Sequence, residues 1–222
     1  MTLVLHRTNV HLIFVKMDFA LVGLRNCLHN FTLLFFKKCV LEFPLNVISF
    51  LAVATDIMVA TGNDGSSNLD DVEMIRITEA TNDVMVEKCS KNVPTYPLKV
   101  HGAAGTTLTS GEPFVCGGKP ETDKCYQFVK NEWREATQLP SLRYEMAMTT
   151  TADTTFISGG WDHLNGSLSG YGHLNEFHRH NGSEWQPLTP MPIRVFRNCL
   201  VEINATHLLN IGGRDSTGLV SK

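Results

Sequence analysis

Short apolar segments closed by glycine pairs recur along the second half of the chain. Residues 114–116 and 155–158 are β-prone runs that each end in Gly-Gly, and residues 208–211 end in the same way. Runs of this length that are bounded by glycines are typical of β-strands. A Gly-Gly dipeptide indicates a turn or a close approach between two backbones. The pattern therefore predicts short strands joined by tight turns.

The segments between the glycine pairs complete four predicted strands in each repeat. A strand is expected after each of the first two glycine pairs, and a tryptophan then opens a third. A Pro-rich turn leads into the fourth, whose residues are apolar or alternate in polarity. In the first copy the strands are expected at residues 114–116, 125–129, from 133 onward and at 143–151. In the second copy they are expected at 155–158, 176–179, from 185 onward and at 194–203.

The tryptophans, prolines and arginines of this repeat keep a nearly constant spacing, while the glycine pairs are 42 and 53 residues apart. The glycine pairs start at residues 117, 159 and 212, while both the tryptophans and the prolines at 140 and 192 are 52 residues apart. The two arginines that follow the prolines are 51 residues apart, and the second copy inserts HLNGSLSGYGHL after its glycine pair. A fixed period of this length indicates a repeat architecture. The recurring residues are Gly117, Gly118, Trp133, Arg143, Gly159, Gly160, Trp185, Arg194, Gly212 and Gly213.

A four-stranded unit with these landmarks resembles the kelch repeat, whose period is about 50 residues. The match is specific in the units that start at residues 114 and 156, and partial at 208–214. A degenerate earlier copy is expected at residues 57–63 and 72–77, where Thr61-Gly62 replaces the glycine pair. The segments FVCGG…KCYQF and NCLVEINATHLLNIGG are similar to kelch-domain proteins of the secreted invertebrate type. The resemblance implies a β-propeller in which glycines turn the strands and tryptophans anchor the core.

The expected fold is therefore all-β: a partial kelch-type propeller of about three four-stranded blades at residues 56–222, with a generic antiparallel sandwich as the alternative. Propellers typically have four to eight blades. The chain is then too short to close a ring by itself. A piece of a longer protein, an incomplete gene product or an oligomer that completes the ring would each account for this length.

The first 55 residues differ sharply in composition and are predicted to be a separate hydrophobic segment, expected to be helical. Charged residues and Pro44 interrupt its apolar runs, so none reaches the roughly 18 residues of a membrane span. Residues 45–54 (LNVISFLAVA) resemble a signal-peptide core that ends in an A-x-A-like cleavage site. The segment can be interpreted as a signal sequence with an upstream extension, as a signal anchor, or as a buried helix. Only a signal anchor would place the protein in a membrane.

Cysteines and glycosylation sequons bear on the cellular compartment. Cys116 and Cys125 flank a Gly-Gly hairpin, so their strands should be neighbours and the two could form a disulfide. Two buried free thiols are the alternative. Sequons occur at Asn30, Asn165, Asn181 and Asn204, and the last three are glycosylation candidates in predicted loops or strand ends. These features together favour the secretory pathway or the extracellular space over the cytoplasm.

The charge of the chain argues against nucleic-acid binding, and its sequence contains no recognised catalytic motif. A net charge of −3 and a pI near 6.3 provide no basic surface for nucleic acid. No nucleophile elbow, P-loop or zinc-protease motif occurs in the sequence. His178 and His180 would share one strand face and could reach a metal, but a polar strand face with several histidines is the favoured interpretation. No catalytic, cofactor-binding or metal-binding residue is predicted.

These expectations favour a non-catalytic scaffold that binds a protein or a glycan through its inter-strand loops, such as residues 161–173. Arg143 and Arg194 are expected to bridge neighbouring blades. One alternative is a fragment of a secreted, galactose-oxidase-like propeller enzyme, which would need Tyr, His and Cys ligands in further blades. A second is a fragment of a BTB-kelch adaptor for ubiquitin ligation. Fold-level analogy alone supports the choice among these functions.

Overall fold

The computed structural model describes the backbone of ten segments. These are residues 35–36, 39–40, 49–53, 56–80, 83–90, 93–120, 122–152, 154–162, 172–204 and 206–220. Over these residues the fold is all-β and contains no helix, which confirms the predicted fold class at this level. Every described strand pairing is antiparallel, and within each sheet the neighbouring strands are consecutive in the chain.

Three four-stranded sheets make up most of the structure. The first contains β3 (Ser49–Val53), β4 (Asp56–Asn63), β5 (Asn68–Ala80) and β6 (Asp83–Ser90). The second contains β7 (Ala104–Thr107), β8 (Pro113–Cys116), β9 (Cys125–Val129) and β10 (Glu132–Glu135). The third contains β11 (Ala147–Thr151), β12 (Thr154–Ser158), β13 (Phe177–His180) and β14 (Trp185–Pro187). None of the described sheets closes on itself.

Three two-stranded sheets accompany them. β1 (Phe35–Phe36) pairs with β2 (Cys39–Val40), and β17 (Arg214–Asp215) pairs with β18 (Gly218–Leu219). β15 (Cys199–Asn204) and β16 (His207–Ile211) form what we term the fourth sheet, because its first strand lies beside β11 of the third. The first strands β3, β7, β11 and β15 thus follow one another from sheet to sheet.

The strands lie where the glycine pattern predicts them, but the sheets start one strand earlier than expected. The sequence pattern assigns residues 147–151 to the unit that contains Trp133, whereas they form β11, the first strand of the third sheet. Met148 pairs with Ile157 of β12, so this strand belongs with the glycine pair that follows it. The Pro-rich turn therefore links two sheets and does not join two strands of one sheet.

The expected helix is not found in the described part of the N-terminal segment, where residues 35–36, 39–40 and 49–53 are strands. β3 pairs along its whole length with β4, with Leu51 opposite Met58. A short apolar run is compatible with a buried strand or a buried helix, and periodicity does not distinguish them. The antiparallel partner at Asp56–Asn63 favours the strand because it satisfies the backbone hydrogen bonds.

Two hydrophobic cores lie between successive sheets. The first joins Met58 and Ala60 of the first sheet to Val115 of the second, with Tyr96 and Val100 from the link between them. The second joins Phe114 of the second sheet to Ile157 of the third. Trp133 packs against the first core and Trp185 against the second. The sheets are therefore stacked face to face, and the two repeat tryptophans pack at the sheet interfaces.

The fourth sheet is much less covered than the others. Three apolar side chains of its two strands are exposed: Ile203 at 59%, Leu209 at 46% and Ile211 at 39% of their surface. By contrast, all four residues of β8, the equivalent second strand of its sheet, are buried. One face of the fourth sheet is thus open to solvent.

Candidate functional site

The glycine pairs lie at one end of each sheet, which we term the glycine-pair end. Both residues of each pair have positive φ, a conformation that costs glycine little and other residues more. Thr61-Gly62 adopts the same conformation, with φ of 63° and 142°, so the degenerate pair predicted from sequence is confirmed. The other φ pairs are 70° and 123° at Gly117-Gly118, 62° and 103° at Gly159-Gly160, and 61° and 97° at Gly212-Gly213.

The second residue of a pair fastens its sheet to the link that enters the next sheet. Its N–H donates a hydrogen bond to a carbonyl oxygen of that link. The N···O distances are 3.0 Å from Gly62 to Val100, 3.0 Å from Gly118 to Arg143, and 2.9 Å from Gly160 to Val195. Because the same bond recurs at three sheet junctions, it fixes how one glycine-pair end meets the next.

This hydrogen bond corrects one equivalence drawn from the sequence. Arg143 occupies the same position as Val195, 52 residues later, and both side chains are fully buried. Arg194 precedes that position and is exposed. The 51-residue spacing of the two arginines therefore does not mark equivalent positions, whereas the 52-residue spacing of the tryptophans and prolines does.

Three pairs of residues face each other across backbone bridges at the glycine-pair end, and we term them the bridge pairs. In each, the residue after the glycine pair of a sheet exchanges backbone hydrogen bonds with a residue of the link that enters that same sheet. This link residue directly follows the carbonyl that accepts the hydrogen bond from the glycine pair of the preceding sheet. The bridge pairs are His101–Lys119, Tyr144–Trp161 and Phe196–Arg214. One member always carries a ring, and the other is Lys, Trp or Arg. Each bridge uses two backbone hydrogen bonds of 2.7–3.1 Å.

Four side chains of the bridge pairs, Lys119, Tyr144, Trp161 and Phe196, form a continuous series of contacts across the second, third and fourth sheets. The Lys119 ammonium lies 5.2 Å from the centroid of the Tyr144 ring. Tyr144 and Trp161 have centroids 6.3 Å apart, and Trp161 meets Phe196 edge to face at 5.0 Å. The Arg197 guanidinium lies 5.7 Å from the Phe196 ring. Such contacts between cations and rings contribute about 0.5–1 kcal/mol each at exposed sites.

His173 joins this series at the end of the insertion. It forms a backbone bridge with Trp161, its ring lies 4.3 Å from that of Trp161, and it stacks on Phe196 at 4.7 Å. We term the three bridge pairs together with His173 and Arg197 the platform. Residues 163–171 of the insertion, with His163 and the sequon at Asn165, lie outside the described residues, as does Asn30.

Glu145 and Arg197 directly follow the bridge-pair residues Tyr144 and Phe196 and have an unusual backbone conformation. Their φ values are 54° and 56°, and the equivalent residue of the second sheet is Gly102, with φ of 68°. The backbone N–H of Glu145 donates to the Gly102 carbonyl, and that of Arg197 donates to the Glu145 carbonyl. Non-glycine residues in this region cost about 1–3 kcal/mol and concentrate at functional sites.

The side chains of Glu145 and Arg197 also bind each other. Arg197 Nη2 donates to Glu145 Oε1 at 2.7 Å, and the Glu145 side chain is only 4% exposed. The hydrogen bond that Arg197 donates to Glu145 raises the pKa of Arg197, while burial opposes this shift. The pair therefore holds a fixed, partly exposed guanidinium beside the Phe196 ring.

Arg143 lies in the interior and not on the platform. Its guanidinium is fully buried, donates to Ser141 at 2.6 Å, and pairs with Glu176. Burial lowers the pKa of Arg143, and Glu176 and Asp162 oppose that shift. This contact joins the link that enters the third sheet to the segment before β13 of that sheet.

His178 and His180 project from the same face of β13 but are enclosed by the sheet interface. His180 stacks on Phe114 at 6.3 Å and meets Trp185 at 4.8 Å, while His178 is 8% exposed. Burial lowers the pKa of both imidazoles. Within the described segments, no three His, Cys, Asp or Glu side chains are arranged to hold a metal ion.

The predicted disulfide partners are directly opposite each other in β8 and β9. Cys116 and Cys125 form a disulfide that is fully buried, with Cα atoms 4.1 Å apart. Cys199 in β15 is also disulfide-bonded. In the second sheet the crosslink lies next to Gly117, so it constrains the glycine-pair end.

Two of the predicted sequons lie at the opposite ends of their sheets from the platform. Asn181 is exposed in the β13–β14 turn, and Asn204 is exposed at the end of β15, next to the β15–β16 turn. Asn181 Oδ1 accepts hydrogen bonds from the N–H and the hydroxyl of Ser183 at 3.1 and 2.9 Å. Asn204 Oδ1 accepts the same two bonds from Thr206, both at 3.0 Å. The amide nitrogens of both asparagines are therefore accessible from the solvent.

Comparison with protein-family models gave no match, and neither did comparison with curated proteins. In the part of the chain that is described, no helix has the length and apolarity needed to cross a membrane. A function therefore has to be inferred from the geometry of the glycine-pair end.

Proposed function

We propose that this chain is a non-catalytic scaffold that binds a protein or a glycan through the platform. The observation that carries the proposal is the repetition of the bridge pairs at three equivalent positions. The backbone is the same at each, while the side chains differ: His with Lys, Tyr with Trp, and Phe with Arg. Loops held by a repetitive scaffold are common places for binding residues. Aromatic and Arg side chains are also enriched at binding hot spots.

We also propose that the four-stranded sheets are kelch-type blades of a propeller. The proposal is supported by their antiparallel order, by the adjacency of the first strands β3, β7, β11 and β15, and by the recurring bond from a glycine pair to the next link. In such an arrangement the glycine-pair ends would form one face. A partner would then contact several blades at once.

Removing two cations of the platform, the half-buried Lys119 and the exposed Arg214, is expected to weaken partner binding. Lys119→Ala and Arg214→Ala should each lower the affinity about tenfold, which corresponds to about 1.4 kcal/mol. Both residues make their bridge through the backbone, so the fold should be retained. Partners would first be captured from secreted proteins and glycan arrays, and the affinity of each variant would then be measured by calorimetry.

The matched control is Lys130→Ala, because Lys130 lies in the β9–β10 turn at the opposite end of the second sheet. The affinity of the Lys130→Ala variant for the same partner should equal that of the unmodified chain. A partner whose affinity falls with Lys130→Ala and not with the two platform variants would contradict the proposed binding face.

We propose that the protein matures in the secretory pathway and carries N-linked glycans. The buried disulfide Cys116–Cys125 supports an oxidising compartment. The exposed turns at Asn181 and Asn204 support modification there, since glycans need surface positions.

Peptide mass spectrometry of the chain secreted from eukaryotic cells is expected to show glycans at both asparagines. Ser183→Ala and Thr206→Ala should each remove the glycan at one site and leave the other, because the hydroxyl at the third sequon position is required. Unmodified peptides at both sites in a secreted product would contradict this proposal.

A further inference from the structure

We propose that His173 makes the platform sensitive to pH, so that protonation of its imidazole loosens the contact between Trp161 and Phe196 and weakens binding in acid. The inference rests on the proposed function for its consequence, partner release, but not for the structural change itself. It depends on the position of His173 between the second and third bridge pairs. Those pairs belong to the third and fourth sheets.

The geometry makes His173 the central contact of this region. Its ring stacks on Phe196 with an interplanar angle of 18° and meets Trp161 at 79°. The side chain is only 5% exposed. Gly172, just before it, is packed so closely on Trp161 that an added Cβ would lie 2.6 Å from the indole nitrogen. A change in hydration of this imidazole therefore cannot occur without moving the neighbouring rings.

Charged groups of both signs act on His173. Asp215 in β17 favours the protonated imidazole, whereas Arg194, in the link before β15, disfavours it. The Arg197 guanidinium contacts the same Phe196 ring, and Asp162 follows Trp161 in the chain. The adjacent rings would offer a cation some compensation, since cation–ring contacts contribute about 0.5–2 kcal/mol. Loss of hydration has the larger effect, so burial lowers the pKa of His173 below its ordinary value of 6.5.

The sign of the pH effect follows from this direction. Because the pKa of His173 is lowered in the packed state, an imidazole that has left the packed cluster binds a proton more readily than a packed one. The packed cluster is therefore fully favoured above about pH 6.5. Its stability falls as the pH drops from there through the pKa of the packed state. Acidification thus favours an arrangement in which His173 leaves the contact with Trp161 and Phe196.

The chain has three tryptophans, and a variant with Trp133→Phe and Trp185→Phe retains Trp161 as the only indole. In this background the emission of Trp161 is expected to shift to the red as the pH falls from 7.5 to 4.5, with a midpoint below 6.5. His173→Phe keeps an aromatic ring on Phe196 and cannot titrate, so it should abolish the shift. Far-UV circular dichroism recorded in parallel should remain constant through the transition.

His180→Phe is the matched control, because His180 is another histidine packed on an aromatic ring but contacts Trp185 and not Trp161. This variant should retain the shift. The inference is overturned if the parent shows no shift, if the shift persists in His173→Phe, or if it coincides with loss of the dichroism signal. A partner that binds the unmodified chain at pH 7.5 should lose affinity at pH 5.5, and less so with His173→Phe.

The two proposals can fail separately. If no partner engages the platform at any pH, the proposed function fails while the titration of Trp161 still stands. If a partner binds through Lys119 and Arg214 equally well at pH 7.5 and 5.5, the proposed function stands and the role of His173 is refuted.

Discussion

Gly159→Ala should destabilise the chain by about 4 kcal/mol, the range of the most damaging single substitutions. A Cβ built on Gly159 would lie 2.2 Å from the carbonyl oxygen of Val195, and this oxygen accepts the fastening hydrogen bond of Gly160. Backbone cannot move aside as a side chain can. The link into the fourth sheet would have to shift, and the bond between the third and fourth sheets would be lost. Urea unfolding followed by circular dichroism would measure the change.

Gly212→Ala provides the control for this prediction. Gly212 has φ of 61°, almost the same as the 62° of Gly159, but an added Cβ at Gly212 would have no atom within 4 Å. Only the intrinsic cost of a left-handed alanine remains, about 1 kcal/mol. The difference between the two variants therefore isolates the close approach of the backbones. Equal losses of stability in the two would show that the sheets are not joined in this way.

Glu176→Gln should destabilise the chain more than Arg143→Met, although both remove the same ion pair. The first change leaves a fully buried guanidinium without its principal counter-charge. Loss of one partner from a buried pair costs about 3–5 kcal/mol. Because the Glu176 side chain is 43% exposed, solvent screening reduces the expected loss to about 2 kcal/mol.

Arg143→Met is expected to change stability by less than about 1 kcal/mol or to be stabilising, since replacement of a buried ion by an apolar side chain is often neutral or favourable. Val100 and Val195 fill the equivalent positions, and Nε and Nη1 of Arg143 donate to no described acceptor. Thermal unfolding of both variants at pH 7 would test the order. If Arg143→Met proved the more damaging, the guanidinium would be contributing more to the fold than its burial costs.

Much of the strand arrangement could be predicted because glycine pairs record a backbone requirement locally. The strands at Cys125–Val129 and Thr154–Ser158 follow from short apolar runs next to Gly-Gly. Which strands share a sheet could not be derived in this way. The strand that follows the Pro-rich turn has the same composition whichever sheet it joins, and only its pairing with β12 decides. The N-terminal β3 could not be predicted because its ten-residue apolar run suits a helix equally well.

The candidate site could be predicted only in part. The insertion that starts after Trp161 and ends at His173 begins and ends at the glycine-pair end of the third sheet, but the glycine pairs do not point to the residue directly after each pair. A signal is present: the members of the bridge pairs are 18, 17 and 18 residues apart in the sequence. The role of Glu145 and Arg197 could not be predicted, because nothing in the sequence indicates that they have positive φ. Their equivalence to Gly102, which also has positive φ, is apparent only in the structure.

The one-strand offset between the sequence repeat and the sheet has a practical consequence for anyone who trims or transplants a module of this chain. A cut that follows the sequence landmarks, from residue 114 to 151, would separate β8 from its partner β7 and carry β11 without β12. A cut inside the links, which keeps residues 104–135 together, preserves every backbone pairing of the second sheet. The natural module boundary therefore falls at the Pro-rich links, where strand hydrogen bonds are not severed.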